Sequence, residues 1–433
     1  MARKRPLAAH ILACTISRRP LVLLPFLSIT LLCLPALLSA GEVETVDGVR
    51  HVRNGAEPSD GTRTLHLEVL WRVNVEQAEV LVGVLSDVSA GPDGTVWLSD
   101  RQLGQVHVYS AGGAYLRSLS REGDGPGELR APDGLLWLPD GSLGITDRKP
   151  CQITRLDASG IPLPSLQLRS SDGEPLGFGD ISGAMCRGRT LAICGTEFHF
   201  DGGVSAQSRF FGIYDLAGGE ICRLLEAPSG FDFETRSYDE AKNYFIDQGN
   251  WTVDDGGRVH FAPQRNRYLI HVHDAAGRLV QVYGRSYQPW RRTAEEKETA
   301  GGTATISING ETVDIQTKVD DHDPAIRSIA TAADGRIWVL SSRGTHEQPA
   351  GILRTYDVFD TEGHFREIVR LAGEMDEKED RLYRLADGRW IILRNIRSAL
   401  NAMFAQYRDD ADDREQPDEE RVLEVVCLRA IER

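Results

Sequence analysis

Pro92-Asp93-Gly94-Thr95-Val96-Trp97-Leu98 is a turn followed by an apolar strand, and the chain repeats it. Further copies are Pro139-Asp140-Gly141-Ser142-Leu143-Gly144-Ile145, Asp255-Gly256-Gly257-Arg258-Val259-His260-Phe261, Ala333-Asp334-Gly335-Arg336-Ile337-Trp338-Val339 and Ala386-Asp387-Gly388-Arg389-Trp390-Ile391-Ile392. Arg187-Gly188-Arg189-Thr190-Leu191-Ala192-Ile193 is a weaker sixth copy, and the first two steps are each 47 residues. Asp-Gly between apolar segments marks a hairpin, because glycine supplies the positive φ that a tight turn needs. A second glycine turn follows at Gly113, Gly160, Gly218, Gly277 and Gly363. Two hairpins per period make four antiparallel strands, and such units recurring every 40 to 50 residues or so are propeller blades. The expected fold is therefore all-β, a six-bladed antiparallel β-propeller.

The two ends of the repeat region predict how the ring closes. Leu65, Leu67, Val69, Trp71 and Val73 alternate with other residues as a strand does, and residues 422–431 form another apolar segment. The last blade has only three C-terminal strands, so the N-terminal strand is expected to complete it. Between them, Leu400, Met403, Phe404 and Tyr407 have helical spacing behind Ser398, a good N-cap. Tyr238, Ala241, Tyr244 and Phe245 have the same spacing behind Ser237.

Arg121-Glu122-Gly123-Asp124-Gly125-Pro126-Gly127-Glu128-Leu129, together with Asp100-Arg101-Gln102, Val106-His107-Val108-Tyr109 and Ala131-Pro132-Asp133-Gly134, resembles divergent repeats of the NHL type. The resemblance is specific over residues 80–165 and architectural beyond them. It implies an exported six-bladed propeller that binds other molecules, and it transfers no catalytic residue.

Residues 1–40 read as an export signal. Arg3, Lys4, Arg5, Arg18 and Arg19 precede an uncharged run, Leu21 to Ala40, which ends in Leu38-Ser39-Ala40. An uncleaved anchor over residues 21–40 is the alternative, since about 20 apolar residues span a bilayer. The expected organisation is signal 1–40, linker 41–63 and propeller 64–433, with an exported, periplasmic or extracellular location. Losing five cations and no acid takes the net charge from -15 to -20. That balance argues against nucleic acid, whose phosphates need a basic face. Cys14 and Cys33 leave with the signal; Cys151, Cys186, Cys194, Cys222 and Cys427 remain, an odd set without a metal knuckle, read as small buried apolar residues.

Successive connections in an up-and-down blade alternate between two faces. The short glycine turns fall on one, and every long insertion, residues 196–208, 231–245, 285–323 and 394–420, falls on the other. The third includes an expected hairpin on Asn309-Gly310. Elaborated loops on a rigid scaffold point to binding. An arginine follows the second strand in five of six blades: Arg101, Arg148, Arg265, Arg343 and Arg394, six to nine residues after the anchor glycine. These guanidiniums are candidate ligand contacts for an anionic group; the competing account is that each pairs with a nearby acid.

The chain has no Gly-x-Ser-x-Gly elbow, and His346-Glu347 lacks the second histidine of a zincin. His271 and His273 share a strand face without a third ligand, and the acidic run 409–420 lacks calcium-loop spacing. His199, His322 and His346 all fall in loops of the elaborated face and form an alternative zinc site. The expected function is an exported, monomeric binding module for a protein, peptide or glycan, with no cofactor and no membrane contact beyond the export signal. A lactonase-like hydrolase or metal-dependent lyase, with its site in the central funnel, is the alternative, and zinc or calcium is the alternative to having no cofactor.

Overall fold

The computed structural model describes residues 41–75, 80–147, 151–201, 204–228, 235–246, 249–301, 303–308, 311–405 and 422–432. The export segment 1–40, Arg148 and the acidic run 409–420 lie outside them. The described chain is nearly all β. β1 (Glu42–Val46) and β2 (Val49–Asn54) form a hairpin, and β3 (Thr62–Asn74) is a long strand that meets the end of the chain.

Four-stranded antiparallel sets then follow one another. β4 (Leu85–Ala90), β5 (Val96–Asp100), β6 (Gln105–Tyr109) and β7 (Tyr115–Leu119) make the first. β8 (Pro132–Trp137), β9 (Leu143–Asp147), β10 (Gln152–Leu156) and β11 (Pro162–Gln167) make the second. The third is β12 (Gly179–Arg187), β13 (Thr190–Asp201), β14 (Val204–Tyr214) and β15 (Glu220–Pro228). After the short β16 (Ser237–Asp239) comes the fourth set: β17 (Trp251–Val253), β18 (Val259–Phe261), β19 (Leu269–His273) and β20 (Leu279–Arg285). Helix α1 (Ala294–Ala300) and the hairpin β21 (Thr303–Ile308) and β22 (Glu311–Lys318) precede the fifth set, β23 (Ile326–Thr331), β24 (Ile337–Ser341), β25 (Ile352–Phe359) and β26 (Phe365–Ala372).

The C-terminal strands β27 (Arg381–Arg384), β28 (Trp390–Arg394) and β29 (Glu424–Glu432) take β3 as their fourth member. Residues 65–74 of β3 pair antiparallel with β29, while residues 62–66 run parallel to β26.

The repeated Asp-Gly chemistry explains the hairpins. Gly94 sits at φ 81° and donates its N–H to Gly91 O, while the Asp93 carboxylate accepts the N–H of Thr95. Gly141, Gly257, Gly335 and Gly388 repeat the positive φ, as do the second-turn glycines 113, 160, 218, 277 and 363. The second strand of most sets is buried along its whole length, as in Val96–Asp100, Leu143–Asp147 and Ile337–Ser341. Such a strand is covered on both faces and reads as a continuous apolar run.

Apolar clusters fill the spaces between successive sets. Trp97, Val106 and Leu119 meet Leu135, Leu143 and Ile145 between the first and second. Val84, Leu85 and Val96 meet Ile391, Leu393 and Val425, joining the first set to the last. First strands also touch in series. Ser86 donates to Pro132 O, Val253 N–H to Met185 Sδ and Thr331 Oγ1 to Val253 O; Arg384 reaches Thr331 O, and Tyr383 OH donates to Ser86 O.

Three expectations need correction. Residues 41–63 are not a plain linker, because Asp47 and Gly48 (φ 52° and 82°) make the two-residue turn of the β1–β2 hairpin, and β2 extends the fourth set parallel to β20. The helix near residue 398 is α2 (Ile396–Ala405); it starts before Ser398, whose N–H and hydroxyl bond the Glu379 carboxylate instead of capping. No helix follows Ser237: residues 237–239 are β16, paired with β22. The five cysteines of the described chain are free thiols, and all but Cys222 are buried.

Candidate functional site

Apart from the β1–β2 hairpin on the edge of the fourth set, the described insertions join the sheets at the same end of their strands. The β13–β14 extension and α2 connect second to third strands, whereas β16 and the α1–β21–β22 unit lie in connections between sets. In antiparallel sheets these two kinds of connection fall at one end, and the short glycine turns at the other.

At this end the largest insertion is fixed by a buried polar network. Arg265, four residues past β18, donates to Glu240 Oε1 at 2.6 Å and to His322 O at 2.5 Å, and lies 3.5 Å from Asp320. Arg292 grips both oxygens of Glu240, at 2.6 and 2.9 Å, and Asp323 at 2.6 Å. The other Asp323 oxygen is 2.7 Å from His346 Nε2, and His346 Nδ1 is 3.1 Å from Glu296 on α1. Trp290 stacks on the His346 ring at 4.6 Å and 6°, and its indole N–H points at Glu296. Arg343 caps the stack, 5.7 Å from the Trp290 ring, with Nε donating to Gln288 O. Burial, the largest single influence, opposes charge at Glu240 and Asp323. The guanidinium bonds, with those from the Asp320 N–H and His346, more than offset it and hold both carboxyls below their ordinary range. Arg292 is held above its ordinary value because the same bonds outweigh its burial.

Four nominated residues, Arg265, Arg343, His322 and His346, thus come together. Among the described residues, Arg101 and Arg394 do not join them. Arg101 lies 3.6 Å from Asp133 on β8, and Arg394 lies 3.7 Å from Glu424 on β29. Arg148 is outside the described residues, as is the side chain of His199. Both ring nitrogens of His346 lie against carboxylates, Nε2 against Asp323 and Nδ1 against Glu296. Among the described residues no group of three or more His, Cys, Asp or Glu is placed to hold a metal ion. Among the described arginines of this set, Arg101, Arg265 and Arg394 each face a carboxylate. His271 and His273 stack 6.4 Å apart beside Phe261; burial chiefly, then the nearby His273 and His51, pushes His271 down to about 4.

A second polar group was not anticipated from the sequence. The Asp87 carboxylate on β4 accepts the Leu135 N–H at 2.8 Å across to β8. It keeps some contact with solvent, yet burial by the surrounding protein pushes its pKa up to about 7, with the Asp133 charge adding to the rise. Tyr383 on β27 is pushed up to about 12, chiefly by burial and then by Asp87. No local motif announces Asp87, because its environment comes from strands some 50 and 300 residues away.

A serine–histidine–aspartate chain is also present. His107 touches Ser118 Oγ at 2.7 Å and Asp100 at 3.0 Å. His107 is fully buried, and Asp100 also holds the N–H groups of Gly83, Gln102 and Leu103. This chain locks the first set together.

No protein family and no curated protein matches the sequence. Among solved structures the chain is similar to a member of the DUF4221 family from Bacteroides vulgatus, at 11% identity and TM-score 0.44, over 85% of this chain and 99% of that one. It is also similar to virginiamycin B lyase from Staphylococcus aureus (12%, TM-score 0.40, 84% and 100%) and to aldose sugar dehydrogenase from Streptomyces coelicolor (12%, TM-score 0.39, 84% and 98%). Likenesses this distant establish neither the activity nor the ligand of this chain.

Proposed function

We propose that this chain is an exported six-bladed β-propeller, closed by β3, that binds a protein, peptide or glycan on the face carrying the long connections. The closed ring is supported by the serial contacts of first strands, by the return contact from Tyr383 to Ser86, and by the apolar cluster shared by the last and first sets. Export rests on the charged head and apolar run of residues 1–40. One observation carries the binding role: the insertions between strands of the repeats sit at one end of the sheets, and the largest is fixed by the Arg265–Glu240–Arg292–Asp323–His346 network. Loops fixed before binding lose less entropy on binding.

The test is capture of a cell-envelope component by the full chain, followed by hydrogen exchange of the complex. Protection is expected in residues 287–296 and 343–349. Protection confined to the glycine turns at 93–94, 140–141 and 334–335 would refute the assignment of the face.

A second reading is favoured by Asp87. A carboxyl titrating near 7 beside Tyr383 is suited to general acid–base work. Any hydrolase or lyase activity of the chain should then follow a group of pKa near 7 and disappear in Asp87→Asn.

A further inference from the structure

On the same face a cavity of about 520 Å³ lies away from the network, between the connection from β7 to β8 and the strands β10 and β11. Its size falls within the roughly 300–1,000 Å³ of small-ligand clefts. The glycine-rich stretch 123–128 forms its rim. Gly127 sits at φ 76°, and a Cβ there would lie 2.5 Å from Pro162 Cγ, so the rim follows β11 closely only because this position is glycine.

The charges around the cavity are already answered. Arg130 Nε donates to Asp124 at 2.8 Å. Glu128 accepts the Gly125 N–H at 2.9 Å and Arg121 Nε at 2.7 Å. Asp147 accepts the N–H groups of Arg130 and Ala131 at 2.6 and 3.0 Å. An anion would approach three carboxylates, and a cation would have to displace a guanidinium or break backbone bonds.

The neutral side chains are different. Gln152 and Thr154 are two apart on β10 and share a face, with Ser165 on neighbouring β11. Thr154 is only 6% exposed, lines the cavity, and makes no side-chain hydrogen bond with the described residues; nor do Gln152 and Ser165. The Thr154 hydroxyl opens into the cavity, where a ligand can hydrogen-bond it. Pro126, Leu163 and Pro164 add apolar surface beside these donors and acceptors. Hydroxyls on one edge and C–H groups on the face are what a sugar ring presents.

We propose that this cavity binds a neutral sugar residue of a glycan; the proposal rests on the binding role above and names its ligand class. The experiment is isothermal titration of the full chain with cellotetraose, maltotetraose, xylotetraose, mannotetraose and chitotetraose. Tetragalacturonate serves as the anionic comparison, and tetraglycine as a neutral peptide. At least one neutral tetrasaccharide should bind, with affinity insensitive to salt. Gln152→Ala and Thr154→Val should each weaken it about tenfold, the effect of one lost hydrogen bond. Thr154→Val is isosteric and breaks no hydrogen bond with the described residues, so its thermal midpoint without sugar should stay close to that of the parent. Failure of every neutral sugar, equal affinity in both variants, or tighter binding of tetragalacturonate or tetraglycine would overturn the proposal. If a captured envelope component still protects residues 287–296, the binding role survives that failure; if neither occurs, both fall.

Discussion

Trp71 on β3 is the side chain through which the N-terminal strand grips the first set, and its contacts give a coupled prediction. Its ring is 9% exposed, stacks on Tyr109 at 6.4 Å, and donates its indole N–H to Ala111 O at 2.9 Å. Gly113, in the β6–β7 turn, has φ 86°, and a Cβ added there would lie 2.6 Å from Trp71 Cδ2. Trp71→Ala removes a buried aromatic and should cost about 3–5 kcal/mol. Gly113→Ala carries a left-handed penalty of about 1–2 kcal/mol and an overpacking penalty of about 1–3 kcal/mol. Only the first part should survive when the ring is absent. The double variant should therefore be about 1–3 kcal/mol more stable than the sum of the singles predicts. Equilibrium urea unfolding followed by far-ultraviolet circular dichroism measures this without depending on the deleted fluorophore. Additivity within about 0.5 kcal/mol would mean that β3 does not pack on the first set.

His271, held near 4 when folded against an ordinary 6.5, makes the unfolded chain bind more protons between those values. Its contribution is therefore complete above pH 6.5, falls as pH drops toward 4 by roughly 3 kcal/mol at most, and is constant below; His271→Gln should flatten a thermal-shift profile over that window. Asp87 has the opposite sign, because its folded pKa is raised to about 7: it costs stability above pH 7 and the cost fades toward pH 4. Asp87→Asn should gain on the order of 1–3 kcal/mol at pH 8 and little at pH 4, as read by urea midpoints. Thiol titration of the native chain should find Cys222 first, since burial pushes Cys151 up to about 12 and Cys186 up to about 11. In denaturant it should count five thiols if residues 1–40 are removed and seven if they are retained.

What the sequence discloses is what depends on neighbours along the chain. Asp93-Gly94 announces its turn because the Asp carboxylate and the Gly φ act within three residues. Asp47-Gly48 also turns on a glycine at positive φ, but it precedes the repeats and its hairpin is held by β20, more than 200 residues on. Side-chain partners are another matter. Arg265 stands where a strand-end arginine was expected, yet its role depends on Glu240 and Asp320, which only the folded insertion brings within reach. Ser398 has the identity of a helix cap, but its hydroxyl belongs to Glu379, and the helix begins earlier behind Asn395 at φ 58°.

The charges argue for how the elaborated face works. Described arginines at strand ends mostly meet carboxylates from other elements: Arg101 with Asp133, Arg265 with Glu240, Arg394 with Glu424. Pairs of this kind fix loops in place, and they leave little field with which to steer an ion. Acids outnumber bases by fifteen over the whole chain, so an anionic partner would be repelled at long range. An uncharged ligand avoids that penalty. It would be recognised by hydrogen bonds aimed from rigid strands, as Gln152 and Thr154 are aimed from β10. On this view the ion pairs of the long insertion and the neutral cavity are two parts of one design: charge is spent on holding the platform still, and recognition is left to groups that carry none.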